Sequence, residues 1–98
     1  MLKKNYTKTG KKCRVTFKYP NPEQAQSAAV AGDFNDWSTT ANPMKKLKDN
    51  SFSLTIFLES GCDSCFRYVL DNDTWVNDPD ADSYVVNEFS KKNSVVTV

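Results

Sequence analysis

Apolar residues recur at every second position wherever the chain carries them in quantity, the period of a β-strand rather than the three-and-four spacing of a helix. Cys13, Val15, Phe17 and Tyr19 alternate with Arg14, Thr16 and Lys18, and Pro20-Asn21-Pro22 then stops the run. Phe52, Leu54, Ile56 and Leu58 alternate with Ser53, Thr55 and Phe57. After the turn residues Glu59-Ser60-Gly61, the sequence Phe66, Tyr68 and Leu70 repeats the pattern, so these two runs are expected to pair as an antiparallel hairpin with one face in a core. In that register Arg67 points away from the core, between Phe66 and Tyr68.

Shorter strands are expected from Ser27 to Asp33, over Thr74-Trp75-Val76, from Ser83 to Asn87 and from Asn93 to Val98. Gln24 to Ala29 has some helical propensity, but Val30 and Gly32 lead into a turn rather than a cap. Asp71-Asn72-Asp73 reads as a tight turn, with asparagine suited to positive φ. Many short strands punctuated by turns predict an all-β chain, a sandwich of about seven or eight antiparallel strands with negligible helix.

The length of 98 residues fits one domain with one core, and 39% hydrophobic content with 12 aromatic residues is that of a folding chain. No apolar run approaches the roughly 20 residues that cross a bilayer, and the opening Met1-Leu2-Lys3-Lys4-Asn5-Tyr6 is charged without the apolar stretch of a signal peptide. A cytoplasmic location and no membrane partner are the expectation. Net charge is +1, which argues against a nucleic-acid binder, although seven basic residues and no acid fall within positions 1–18. Residues 1–12 are accordingly read as a basic, flexible, solvated lead, with the domain proper spanning 13–98.

The candidate chemistries narrow quickly. Cys13, Cys62 and Cys65 are an odd count, which disfavours a disulfide framework. Cys62-Asp63-Ser64-Cys65 has C-x-x-C spacing but precedes a strand, whereas redox motifs use a helix N-terminus to acidify the thiol. With no histidine in the chain, a four-ligand zinc site is poorly served. Five aspartates crowd between Asp71 and Asp82, yet both EF-hand registers fail: from Asp71 the sixth position is Val76, and from Asp78 a proline follows at once. These acids are expected to form and cap turns. Glycoside hydrolysis requires two carboxylates across a cleft, one of them with a raised pKa, and carboxylates in solvated turns do not supply that. Neither catalysis nor a cofactor is expected.

Two tryptophans stand out. Trp37 ends the polar turn Gly32-Asp33-Phe34-Asn35-Asp36-Trp37, and Trp75 follows the charged turn after Leu70. A loop indole must pack or bind: it either lids the sandwich or lays its face on the C–H face of a sugar while nearby polar groups pair with hydroxyls.

These residues carry a resemblance. Gly32-Asp33-Phe34-Asn35-Asp36-Trp37, Phe66-Arg67-Tyr68-Val69-Leu70-Asp71 leading to Trp75, Asn77-Asp78-Pro79, and Asn93-Ser94-Val95-Val96 follow one another as in family 48 carbohydrate-binding modules, the isoamylase N-terminal or early-set domains related to the glycogen-binding domain of the AMP-activated kinase β subunit. The resemblance, from about Val15 to Val98, implies an immunoglobulin-like (early-set) antiparallel β-sandwich. It further implies a non-catalytic module for α-1,4-glucan of the glycogen or starch type, with Trp37, Trp75, Arg67, Phe89 and Asn93 around the sugar chain. Many such modules instead pack on a catalytic domain, so the alternative is an interaction module that docks on a glucan-metabolising enzyme or on itself.

Overall fold

The computed structural model describes residues 2–71, 73–79, 81–87 and 91–98. Among them are nine strands: β1 (Leu2–Tyr6), β2 (Lys12–Tyr19), β3 (Ala28–Gly32), β4 (Lys45–Lys46), β5 (Phe52–Glu59), β6 (Asp63–Leu70), β7 (Thr74–Val76), β8 (Ser83–Val86) and β9 (Lys92–Thr97). A single 3-10 turn, Asp33–Asn35, is the only helical element among the described residues. The strands form two antiparallel sheets, ordered β1-β2-β5-β4 and β3-β6-β9-β8, with β7 also pairing β6. β5 and β6 therefore do not form the hairpin expected from their shared alternation: β5 has its edges taken by β2 and β4, and the chain crosses to the other sheet before β6. The chain is an all-β sandwich, as its alternation predicts, and an immunoglobulin-like one, as the resemblance implies.

The core lies where the inward positions of the two sheets meet. Cys13, Val15, Phe17 and Tyr19 of β2 face Val30 of β3 and Phe66, Tyr68 and Leu70 of β6, with Phe52 and Leu58 of β5 and Val96 of β9 completing the layer. Aromatic rings run through it in a chain. Phe34 lies 5.9 Å from Phe17, Phe17 5.0 Å from Phe66, Phe66 5.6 Å from Tyr68, and Tyr68 5.1 Å from Tyr19, centroid to centroid. These separations are those of favourable tilted and edge contacts, and truncating one such ring to alanine costs about 3–5 kcal/mol.

Residues 2–6, read from sequence as part of a flexible lead, pair with β2 along their whole length, from Leu2 opposite Phe17 to Tyr6 opposite Cys13. Two contacts tie this edge strand to the second sheet. Lys4 meets Asp82 at 2.6 Å, and the Tyr6 hydroxyl donates to the Val98 carbonyl at 3.1 Å. The Gln24–Ala29 segment is not helical, because the buried Asn21 side chain accepts from Ala25 N–H and donates to the carbonyls of Ala25 and Asn50, holding an irregular turn.

The aspartates from 71 to 82 divide. Asp71 caps the chain before β3, accepting from the N–H groups of Gln26 and Ser27, and Asp73 accepts from Thr74. Among the described residues of the turn, Asp71 is left-handed, at φ 51°; Asn72 lies outside the described residues. Asp78 departs from the solvated-turn reading. It is fully buried, its carboxylate accepting from the Tyr68 hydroxyl at 2.6 Å and its N–H donating to Ser94 Oγ at 2.9 Å.

Candidate functional site

The site begins with the way β6 exchanges partners. On one side it pairs with β3; on the other, residues 63–66 pair with β9 and residues 68–70 with β7. Arg67 falls at the changeover, where β9 and β7 diverge and leave a fork. Polar groups fill the fork's floor: Arg67 Nη2 donates to the Lys92 carbonyl at 2.8 Å, Asn77 Nδ2 donates to the same oxygen at 3.1 Å, and Ser94 Oγ donates to Asn77 Oδ1 at 2.9 Å. Alternation carries Cys65, Arg67 and Val69 to the outer face of this sheet, opposite the core. Trp75 sits directly across from Val69 on that face, and Arg67 across from Ala31.

The turn between β3 and β4 brings Trp37 to the same place. Gly32 enters it at φ −168°, an ordinary extended conformation; what it lacks is room, since a Cβ would lie 2.4 Å from the Cys65 carbonyl oxygen. Asn35 fixes the loop by accepting from Gly32 N–H and donating to the Val30 carbonyl and to Asn42 Oδ1, at 3.0, 2.9 and 2.7 Å. Asp33 works with both carboxylate oxygens: one accepts from Cys65 N–H at 2.8 Å, just past the end of the β3 ladder, and the other from the Trp37 indole N–H at 3.2 Å. Asp36 and Trp37 are both left-handed, at φ 56° and 59°. Neither is a glycine, so the turn carries local strain of about 1–2 kcal/mol per residue that the surrounding hydrogen bonds hold in place.

The outcome is a pair of indoles. Trp37 and Trp75 lie 6.4 Å apart with 36° between their planes, although 38 positions separate them in sequence. Trp75 is 40% exposed and Trp37 half-buried, and neither belongs to the core. They line a hollow of about 400 Å³ with Asp33, Cys65, Arg67, Asn87 and Asn93. Beyond Trp75 a second hollow of about 830 Å³ opens, shared at Arg67 and Trp75 and extended by Asp73, Thr74, Asn77, Lys91 and Lys92. A cavity walled by two aromatic faces with amide, carboxylate and guanidinium groups between them has the composition of a site for a polyhydroxylated ligand.

The comparison with known families agrees with that chemistry. The chain matches the family model of carbohydrate-binding module 48, the isoamylase N-terminal domain, over residues 5–90. The chain belongs to this family. The family is one of non-catalytic binding modules, so carbohydrate binding is the function of the module at the coarse level. A search of curated proteins finds no match.

Of the five residues the sequence singles out, the module brings four together: Trp37, Arg67, Trp75 and Asn93 line one hollow. Phe89 lies outside the described residues. Asn93 is buried, opposite Val85 at the start of β9. Arg67 has a second role that alternation alone does not show, because its guanidinium already holds the Lys92 carbonyl. Sequence reasoning missed Asp33. The signal was its place four residues before Trp37, the spacing of a local side-chain contact, and one after the strand end.

Cys65 lines the hollow but is poorly suited to redox or metal chemistry. Burial pushes its thiol up from the ordinary value, and the charge of Asp33, a hydrogen bond to Asp33 and the charge of Asp63 push in the same direction. A reactive or metal-binding thiolate requires the opposite shift. Cys13 is buried and Cys62 exposed, and all three cysteines are free.

Proposed function

We propose that the module binds α-1,4-linked glucan of the glycogen or starch type, stacking sugar rings on Trp37 and Trp75 and pairing hydroxyls with Asn93 and Arg67 between them. The observation that carries the reading is the 36° tilt between two indoles 6.4 Å apart. Successive units of an α-1,4 chain turn relative to one another, so each can present a C–H face to a differently inclined ring; a β-1,4 chain is a flat ribbon and favours coplanar rings. Stacking one sugar removes on the order of 100 Å² of apolar surface per ring, or about 2–3 kcal/mol before ordering costs.

Electrophoresis through native gels cast with glycogen tests this directly. The module should be retarded relative to a bystander protein, and a soluble β-1,4-linked glucan at equal mass should leave its mobility unchanged. Equal retardation by both polymers, or by neither, would count against the assignment.

A further inference from the structure

The sheet on the far side of the sandwich carries a different surface. Its inward positions build the core, so register alone sets what faces out: Lys3 lies beside Thr16 and Thr55, Asn5 beside Arg14 and Phe57, Lys12 beside Glu59, and Lys18 and Lys45 both beside Ser53. Five of these outward side chains are cations and one, Glu59, is an acid. Of the lysines of the sequence's basic lead, Lys3 and Lys12 are laid out on this face with Arg14, Lys18 and Lys45, whereas Lys4 turns inward to Asp82. Asp49, in the turn after β4, lies close enough to Lys18 to be lowered in part by its charge, after the larger effect of its hydrogen bonds with Ser51.

The face is organised from the centre outward. Arg14 and Phe57 are cross-strand neighbours on the two middle strands, and Phe57 is 61% exposed, the second most exposed large apolar side chain among the described residues. Beside them the hydroxyls of Thr16 and Thr55 are hydrogen-bonded to one another at 2.9 Å, so covering them leaves that bond intact. The lysines stand at the margin, Lys3 and Lys45 on the edge strands and Lys12 and Lys18 at the two ends of β2. Arginine and an aromatic ring at the middle with lysines around them is the distribution found in protein–protein interfaces, where lysine is depleted from the buried centre.

We propose that this face docks on an acidic protein surface, and does so while the opposite face holds carbohydrate. Charge complementarity names the sign of the partner, and the central ring with its self-satisfied hydroxyl pair names its kind. A single-stranded nucleic acid would want several stacking rings, and a membrane would want apolar side chains on protruding tips rather than one ring in the middle of a flat sheet. The two faces lie on opposite sides of a slab whose shortest extent is 22 Å, so one module can link a polysaccharide to a protein.

Fluorescence anisotropy with two labelled probes of equal length and charge, an alternating glutamate–glutamine peptide and an alternating glutamate–leucine copolymer, tests the surface. Wild type should bind both in low salt and prefer the copolymer. Arg14→Glu should weaken both by about tenfold or more, Phe57→Ala should erase the preference for the copolymer, and both variants should keep the wild-type melting temperature and retardation by glycogen. Unchanged binding in Arg14→Glu, a preference that survives Phe57→Ala, or tighter binding to a DNA duplex or to phosphatidylserine vesicles than to the copolymer would overturn the proposal. Because Arg14 and Phe57 are remote from Trp37 and Trp75, loss of glycogen retardation in wild type would overturn the glucan assignment and leave this one standing.

Discussion

Trp37 donates its indole N–H to Asp33, and the backbone of Trp37 sits in the left-handed region at φ 59°. The ring is thus held in position by one side chain while its own backbone is strained. Replacing Trp37 with glycine separates binding from stability, since glycine adopts that conformation without steric cost and no core ring is removed. Trp37→Gly should abolish retardation by glycogen while its melting temperature falls little or rises.

Trp75 is expected to behave differently because it stands across from Val69, which is buried on the outer face of its sheet. Trp75→Ala should weaken glycogen binding by at least about tenfold, the equivalent of about 1.4 kcal/mol, and also lower the melting temperature modestly by uncovering that valine. A loss of stability comparable with truncating Phe17, with binding retained by whatever remains folded, would identify the indole as packing alone.

The site was legible in the sequence to the extent that alternation and turn residues fix direction. Arg67 between Phe66 and Tyr68 has to face outward, and Trp37 and Trp75 each follow a turn, which sets them apart from the regular alternation but leaves open whether they lid the sandwich or face a ligand. The fork at Arg67 could not be read. It depends on β7 and β9 each taking half of the same edge of β6, a tertiary pairing with no local signature. For the same reason Asn77 and Ser94, which line up the Lys92 carbonyl, look in sequence like ordinary loop and strand residues.

Gly32 should resist substitution for a reason unrelated to φ. An added Cβ would sit 2.4 Å from the Cys65 carbonyl oxygen and 2.9 Å from Phe34 Cε2, and the first of these is backbone in the middle of a sheet. Gly32→Ala is expected to destabilise the module by about 1–3 kcal/mol, as overpacking does. It should also reduce glycogen binding beyond what stability explains, because Asp33 and Trp37 are positioned from that point. Thermal melting and gel retardation on the same variant check both parts.

The buried pair of Tyr68 and Asp78 gives an alkaline signature. Burial first, then the charge of Asp78 and the hydrogen bond to it, raise the Tyr68 phenol well above its ordinary value, and burial with Glu23 raises Tyr19 likewise. A raised folded-state pKa contributes stability that is complete below the unfolded value of about 10 and is lost as pH climbs toward the folded one. Denaturant midpoints should fall above pH about 10, more steeply for wild type than for Tyr68→Phe. At neutral pH that variant should itself be less stable by about 1–3 kcal/mol, with Asp78 deprived of a buried donor. Parallel pH curves for the two proteins would refute the coupling.

How far the fold was legible follows the length of each alternating run. β2 and β5, eight residues each, announce themselves; β6 is legible only from Phe66 on, since its first residues Asp63-Ser64-Cys65 carry no apolar alternation, and the expected shorter strands lie within a residue or so of those observed. β4 has two residues and exists only by pairing with β5. β1 was hidden because a lysine occupies one of its inward positions, and lysine on an inward position is the pattern of a solvated segment until a buried or half-buried acid is known to meet it.

That acid is Asp82, and the pair gives the sign of an acid-side dependence. Burial opposes ionisation of the Asp82 carboxyl, but the hydrogen bond from Lys4, the N–H of Thr97 and the charge of Lys4 outweigh it, leaving the pKa below its ordinary value. A depressed carboxylate contributes stability that is present above the unfolded pKa and is lost as pH falls through the folded one. Lys4 and Asp82 are 25% and 29% exposed, so solvent screens the pair and the contribution at neutral pH is at most about 1 kcal/mol. Lys4→Gln should therefore melt slightly below wild type at neutral pH, and the gap should close as pH drops below about 4. It should also narrow in high salt, since a half-exposed pair is open to counterions. Hydrogen exchange gives the local readout: amides of residues 2–6 should lose protection in Lys4→Gln while those of β6 keep theirs, because the ion pair fastens an edge strand and not the core. Uniform loss of protection across both sheets would mean instead that β1 is part of the cooperative core, and that its pairing with β2 outweighs the contact with Asp82.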